Sequence, residues 1–373
     1  MKIGILGGGH LAHYLARAAA LFGLDVAIYD PDPQAMALRY TAHGFSASWD
    51  DAEALARFAE DCAWVTIERE QVPLVALRLL AERGVALRPG VDELDVLQDR
   101  LALKRKLDAR LEVGRFRKVS VATDVLDAAQ EFGFPVWLKA RRGGYDGRAV
   151  VKVQRAADAQ PALERLVDYG ELYAEANVGA LRELSVTVVR AANGDMRAYP
   201  VVEVVPRADM CHTVLCPAGI DEASAIRATE AARDAVVLLN GVGAYTTRLF
   251  ELDANEVVVH KVMPRPHESG LYSLEGVITS QFENHLRALL GLPLGDVAQI
   301  APATVSIALV GERDGAPNPN VLAEALQTEG VHVHWYGHPR ALTGRRMGHI
   351  NILGYSTDGA EKVGLYCLSR VHL

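Results

Sequence analysis

Arg141-Arg-Gly-Gly-Tyr-Asp-Gly-Arg148 is the stretch whose reading decides the fold. It follows Phe134-Pro-Val-Trp-Leu-Lys139, an apolar run that predicts a strand ending in a lysine, and a second valine-rich run covers 150–153. The order is strand, basic glycine-rich loop, strand. Glycines let a backbone approach a ligand closely and turn its N–H groups toward it. Lys139, Arg141, Arg142 and Arg148 add positive charge, so the natural guest is a polyphosphate. An exposed hairpin turning on Gly-Tyr-Asp-Gly is the plain alternative. A glycine-rich loop alone does not separate the two, so the flanking sequence has to.

The flanks are those of a multidomain α/β protein. The chain has 373 residues, half of them hydrophobic, which is enough for two or three domains with their own cores. Its formal charge of −8 argues against a nucleic-acid surface. Cys62, Cys211, Cys216 and Cys367 are scattered without zinc spacing, so reduced thiols in a cytoplasm are expected. No signal peptide and no bilayer-spanning run is read, so no membrane partner is expected.

Residues 2–6 predict a strand, Gly7-Gly-Gly-His-Leu-Ala12 a tight turn, 11–22 a helix and 25–29 a second strand. Gly7, Gly9 and Ala12 fit a dinucleotide-binding fingerprint with Asp30 as its ribose acid, although the same glycines serve helix–strand packing elsewhere. A strand over 63–67 ends at Glu68-Arg-Glu70, and a further helix and a strand near 85–88 follow. This alternation predicts a parallel sheet with helices on both faces. Glu68 and Glu70 then sit at strand carboxyl ends, where ligands bind.

Residues 92–110 read as one charged, solvated helix. Thr123 is a candidate N-cap for a helix over 123–132. Antiparallel hairpins are expected over 183–205, turning at Asn193-Gly-Asp195, and over 244–262, turning at Asp253-Ala-Asn255. A helix covers 222–239 and another 280–290. His332 and His334 share a strand face, a weak metal signal because no acidic or thiolate partner flanks them.

In this order the chain resembles the N5-carboxyaminoimidazole ribonucleotide synthetase family of ATP-grasp enzymes. The resemblance rests on Gly7-Gly-Gly-His-Leu11, Thr66-Ile-Glu-Arg-Glu70, the Arg141 loop, Arg182-Glu-Leu-Ser-Val186, Pro264-Arg-Pro-His-Glu-Ser-Gly270, Thr279-Ser-Gln-Phe-Glu-Asn-His285, His334-Trp-Tyr-Gly337 and Gly344-Arg-Arg-Met-Gly-His-Ile-Asn351. It implies a mixed α/β and α+β chain in three parts. These are a Rossmann-like domain over 1–97, an ATP-grasp domain over 98–293 with a lid at about 115–170, and a small domain over 294–373. It also implies a homodimer, a cytoplasmic enzyme of purine biosynthesis and a small-molecule substrate. The family couples ATP hydrolysis to carboxylation of aminoimidazole ribonucleotide by bicarbonate.

Residue by residue, Lys104 and Lys139 match phosphate-binding lysines, and Gly143, Gly144, Tyr145, Asp146 and Gly147 match the lid. Glu175 to Val178 matches the segment reading the adenine edge, and Glu183 the ribose acid. His10, Glu68, Arg345 and Arg346 fall on the substrate side, while Glu70, Arg265, His267 and Glu268 are the candidates for chemistry.

Two family features are altered. The magnesium acids fall at Arg248 and Lys261, and cations offer a metal no ligand. Two residues of the substrate-phosphate pocket fall at His338 and Leu342. The expectation is a diverged homologue acting on a small anionic or nucleotide-like substrate, with ATP as cofactor and magnesium in doubt. If a metal binds, Glu268, Glu251 or Glu203 would hold it. The alternatives are a non-catalytic nucleotide-binding protein, an enzyme that no longer uses ATP and, last, an NAD-dependent dehydrogenase.

Overall fold

The computed structural model describes residues 1–144, 149–208, 210–253 and 256–371. The N-terminal unit is a five-stranded parallel sheet in the spatial order His43–Phe45, Asp25–Tyr29, Lys2–Leu6, Cys62–Ile67, Leu87–Arg88. Lys2–Leu6 and Asp25–Tyr29 are buried over their last four residues, as continuous apolar runs between two helical layers require. The strand order reverses between Lys2–Leu6 and Cys62–Ile67, and the crevice at their carboxyl ends holds Gly7 to Gly9 and Glu68 to Glu70. The strand expected near 85–88 is only Leu87–Arg88.

The charged run is not one solvated helix. It breaks into Val91–Gln98 and Arg100–Leu107 at Asp99, whose buried carboxylate accepts the N–H groups of Leu101 and Ala102 as the second helix's N-cap. Thr123 does not cap the next helix, Ala122–Phe132; the Asp124 carboxylate reaches back to the N–H groups of Ser120 and Val121 instead.

A four-stranded antiparallel sheet follows, in the order Phe116–Val119, Leu172–Ala176, Val136–Ala140, Val150–Val153. Helices Ala122–Phe132 and Ala159–Leu166 cover it.

The largest sheet has nine strands, in the order Val257–Met263, Gly243–Glu251, Arg182–Arg190, Val202–Arg207, Met210–Cys216, Ala303–Val310, Arg346–Gly354, Val331–Trp335, with Met196–Ala198 also on Arg182–Arg190. The strand expected over 196–205 is thus two. The chain beyond 294 adds its strands to the sheet edge at Met210–Cys216 through four register pairs from Thr213–Ile307 to Cys216–Thr304. Helix Glu222–Leu239 keeps the bounds expected from sequence because both ends are signalled: Asp221 accepts from Ser224 N–H, and Asn240 stops it at φ 55°.

Helix Gln281–Leu290, capped by Ser280, joins the N-terminal unit to the large sheet. His285 on this helix accepts the Ala244 N–H at Nδ1, 2.9 Å, so its proton sits on Nε2, 3.0 Å from Thr66 Oγ1. Burial pushes this imidazole down to about 3, which keeps it neutral. Phe282 and Leu286 pack with the helix His10–Leu21 in one apolar cluster. The clip and cluster fix the N-terminal crevice against the strands Gly243–Glu251 and Val257–Met263.

Candidate functional site

Lys139 stands on Val136–Ala140, Lys104 on Arg100–Leu107 and Glu175 on Leu172–Ala176. Both ammoniums lie 2.6 Å from the Glu175 carboxylate, one on each oxygen, and all three groups are buried. Burial disfavours the Glu175 charge, but Lys139, His260 and Lys104 outweigh it and hold the carboxyl well below its usual range. Burial lowers Lys139, partly offset by Glu175. His260, 3.9 Å from Glu175 and tilted against Phe250, is pushed down to about 3 chiefly by burial.

Two ammoniums against one carboxylate leave one net positive charge. The Glu175 side chain, in the segment expected at the adenine edge, pairs with both lysines. Val178, half-buried, follows where the chain leaves the sheet.

Gly143 and Gly144 both take left-handed φ, +67° and +68°, and a Cβ on Gly144 would lie 2.1 Å from that of Ala149. Only glycine fits there. Tyr145, Asp146, Gly147 and Arg148 lie outside the described residues. Arg141 and Arg142 are not free for phosphate as their charge suggested. Arg141 pairs with Asp99 at 2.5 Å and Glu171 at 2.6 Å, and Arg142 pairs with Asp95 at 2.6 Å. These pairs bind the loop to the helix pair at 91–107.

Arg248 and Lys261 face each other in register on neighbouring strands. Arg248 pairs with Glu183, so the expected ribose acid is already engaged. Lys261 Nζ lies 3.2 Å from Glu70 Oε1, and Arg265 Nε donates to Glu70 Oε2 at 2.6 Å. Burial raises Glu70, but Arg265 and then Lys261 outweigh it and hold it below the carboxylate range.

His267 accepts the Ser269 N–H at Nδ1, leaving its proton on Nε2, 3.1 Å from Glu268. Burial pushes His267 down to about 3. Arg265 and His10 approach Glu268 at 3.7 Å each. The centre therefore holds Arg248, Lys261 and Arg265 against Glu70, Glu183 and Glu268, and its charge closes without a metal ion.

Magnesium does not fit this donor set. Glu203 and Glu251, weighed as substitute ligands, both pair with Arg182, at 3.4 and 2.7 Å. Glu268 faces an imidazole and a guanidinium. Among the described residues no group of three His, Cys, Asp or Glu is arranged to hold a metal. His334 is tied to Glu275 at 3.1 Å and stacked on His349, ring centroids 4.3 Å apart.

Beside this centre a cleft of about 460 Å³ opens against the N-terminal crevice. Glu68, Arg265, Glu268, His338 and Arg345 line it. Burial raises Glu68, with Arg69 and Arg265 opposing. Its carboxylate sits so close to Gly9 that a Cβ there would lie 2.2 Å from Oε1. Glu68 thus fills the helix N-terminus at which a pyrophosphate would bind. Asp30 accepts the Gly8 N–H at 2.7 Å and pairs with Arg69. The opening glycines therefore serve close packing, and no place remains for a dinucleotide.

His10 stacks on Tyr336, centroids 4.6 Å apart, and burial pushes it down to about 3. Arg346 does not line the cleft; its guanidinium donates to the Cys211 carbonyl. Arg69, Arg182 and Tyr336 were not singled out from sequence. Each acts through a partner distant in the chain, so local pattern gave no signal.

The two lysines, the paired left-handed glycines and the cleft at the N-terminal crevice are those of an ATP-grasp protein. Residues 1–98 match the ribonucleotide synthetase preATP-grasp domain, 105–282 the ATP-grasp domain and 304–363 the phosphoribosylaminoimidazole carboxylase C-terminal domain. The chain is 35% identical over 355 residues to an N5-carboxyaminoimidazole ribonucleotide synthase of Synechococcus elongatus, covering 94% of this chain and 89% of that one. It is 32% identical over 367 residues to the chloroplastic phosphoribosylaminoimidazole carboxylase of Vigna aconitifolia, covering 96% of this chain and 65% of that protein's length.

The N5-carboxyaminoimidazole ribonucleotide synthetase of Thermus thermophilus superposes with a TM-score of 0.90 at 36% identity, over 100% of this chain and 98% of the other. An Aspergillus clavatus N5-carboxyaminoimidazole synthase, solved with ADP and 5-aminoimidazole ribonucleotide, superposes with 0.89 at 29% identity, over 99% and 98%. The chain belongs to the N5-carboxyaminoimidazole ribonucleotide synthase family.

Proposed function

We propose that this chain is an ATP-grasp carbon–nitrogen ligase homologue that binds a nucleoside triphosphate without magnesium and acts on a small anionic or nucleotide-like substrate. The observation that carries the reading is the in-register pair Arg248 and Lys261, set where the resemblance implies metal acids. A bound nucleoside triphosphate would supply the phosphoryl group that activates a carboxyl donor. Lys104 and Lys139 bind its phosphates, supported by the net positive charge they keep over Glu175. The backbone at Gly143 and Gly144 closes over them.

Arg248 leaves Glu183 and Lys261 leaves Glu70 as the phosphates arrive. The exchange is electrostatically even, because each cation trades one anion for another while Glu183 is released to ribose hydroxyls and Glu70 stays on Arg265. Glu268, held ionised against its burial by the Arg265 charge and the His267 N–H, faces the acceptor side with Glu68. Neutral His267 donates from Nε2 and orients Glu268. Kinship with purine-biosynthetic synthases supports a nucleotide-like acceptor and a two-fold dimer in the cytoplasm.

Calorimetric titration with ATP, with and without magnesium, tests the reading. Binding of similar strength in both conditions is expected. Binding that needs magnesium refutes the cation replacement, and no binding in either refutes the nucleotide site.

A further inference from the structure

The cleft that faces the acceptor side carries few unpaired charges. Arg265 is spent on Glu70 and on the Pro266 carbonyl and Arg69 on Asp30, while Arg346, which donates to the Cys211 carbonyl, does not line the cleft. Arg39, the next cation outside it, donates to the Gly337 carbonyl at 2.7 Å and does not line the cleft. Among the described residues Arg345 is the one lining cation without a carboxylate partner. His338 beside it is neutral: burial lowers it to about 4, and the Arg345 charge adds to the effect. The helix N-terminus that could hold an anion is filled by Glu68. Glu68, Glu268 and the exposed Asp32 add acceptor oxygens to the same walls.

A phosphate dianion taken out of water needs charge-matched donors on more than one side. One guanidinium in a cleft whose walls also carry Glu68, Glu268 and Asp32 provides a site for a single negative charge, or for none, with hydroxyl and amine donors toward the acids. We propose that this cleft selects a nucleoside-like amine lacking a phosphate, or one whose anionic end carries a single charge, and that His338 is the residue that sets this specificity. The proposal rests on the ligase reading above only in taking the cleft as the acceptor site.

The test is calorimetry of the full chain with 5-aminoimidazole ribonucleotide and with the corresponding riboside, each with and without ATP. The two ligands are expected to bind within about threefold of each other, since a lone half-buried cation still in reach of solvent adds little. His338→Lys, which places a second cation beside Arg345, is expected to tighten the ribonucleotide about tenfold, the worth of one charge-assisted bond, and to leave the riboside unchanged. Ribonucleotide binding tenfold or more tighter than riboside in the unaltered chain overturns the proposal. So does a His338→Lys variant that folds and gains nothing, including the case in which neither ligand binds either protein. If that variant does not fold, the comparison in the unaltered chain decides alone. ATP binding is read in the same titrations, so failure of the nucleotide site is seen separately from failure of the cleft.

Discussion

On the proposed reading, converting both central cations to acids, Arg248→Glu with Lys261→Glu, should create a dependence on magnesium. The exchange moves the local charge from two positives to two negatives, a change of four units, at positions that face each other across two strands. Glu183 then loses its partner and meets a new carboxylate, while Glu70 keeps Arg265 at 2.6 Å. Facing like charges on a sheet cost about 0.2–1 kcal/mol per pair. Stripping Glu183 of its charge-assisted bond adds about 1.5–3 kcal/mol. The Lys261 contribution is small because that side chain is 42% exposed.

The apo double variant should therefore be about 2–4 kcal/mol less stable than the parent. Magnesium at about a hundred times its dissociation constant returns about 2.7 kcal/mol. The assay is thermal unfolding with and without magnesium, paired with ATP titration. The expected pattern is a melting temperature and an ATP affinity that rise with magnesium in the double variant and stay flat in the parent. A folded double variant indifferent to magnesium would refute the picture of this centre.

Four further outcomes are expected. Glu175→Gln leaves two buried ammoniums without a counter-ion and should cost about 3–5 kcal/mol in denaturant unfolding; a loss under 1 kcal/mol would mean the lysines are solvated. Gly144→Ala forces a Cβ onto Ala149 at a left-handed φ, so ATP binding should weaken at least about tenfold with little change in global melting. Ser280→Ala removes the N-cap of Gln281–Leu290 and should cost about 1 kcal/mol by calorimetry.

Acid should destabilise the protein in two stages, seen in melts from pH 7 to 3. His10, His260, His267 and His285 fold with depressed values of about 3, so the unfolded chain takes up protons first as pH falls below about 6.5, the ordinary histidine value. Glu70, Glu175 and Glu268 also fold with depressed values. Their contribution is full above about 4.3, the unfolded carboxylate value, and is lost as pH falls from there through their folded values. A flat profile from pH 7 to 5 would contradict the neutral histidines.

Much of the architecture was legible because its signals are local. Asp221 and Asn240 bracket one helix, Ser280 and Gly291 another, and the alternation through residue 88 could only be a parallel sheet. What escaped was set by distant partners. Asp99 reads as one charge in a solvated run until Arg141, 42 residues on, arrives to bury it. Met210–Cys216 and Arg346–Gly354 are strands because each has a neighbour on both sides. The family resemblance brought Arg248, Lys261, Glu70, Arg265 and His267 into one list, and the fold does bring them together. It could not show that they neutralise one another, that Arg346 donates to the Cys211 carbonyl without lining the cleft, or that Glu68 fills the crevice a dinucleotide would need.

The seam between Met210–Cys216 and Ala303–Val310 bears on how the molecule can be cut. The chain after 294 is a continuation of the central sheet's hydrogen-bond ladder and not a bead on a linker. A fragment ending at 293 would expose a seven-residue strand with an unpaired row of N–H and C=O groups, the template on which other chains add. Such a fragment should be recovered as aggregate, and a truncation study would then mistake exposed edge for lost function. Among the described residues the four-stranded sheet that carries Lys139 shares no ladder with the large sheet, and the nearest link is an isolated bridge from Val113, ahead of its first strand, to Val259.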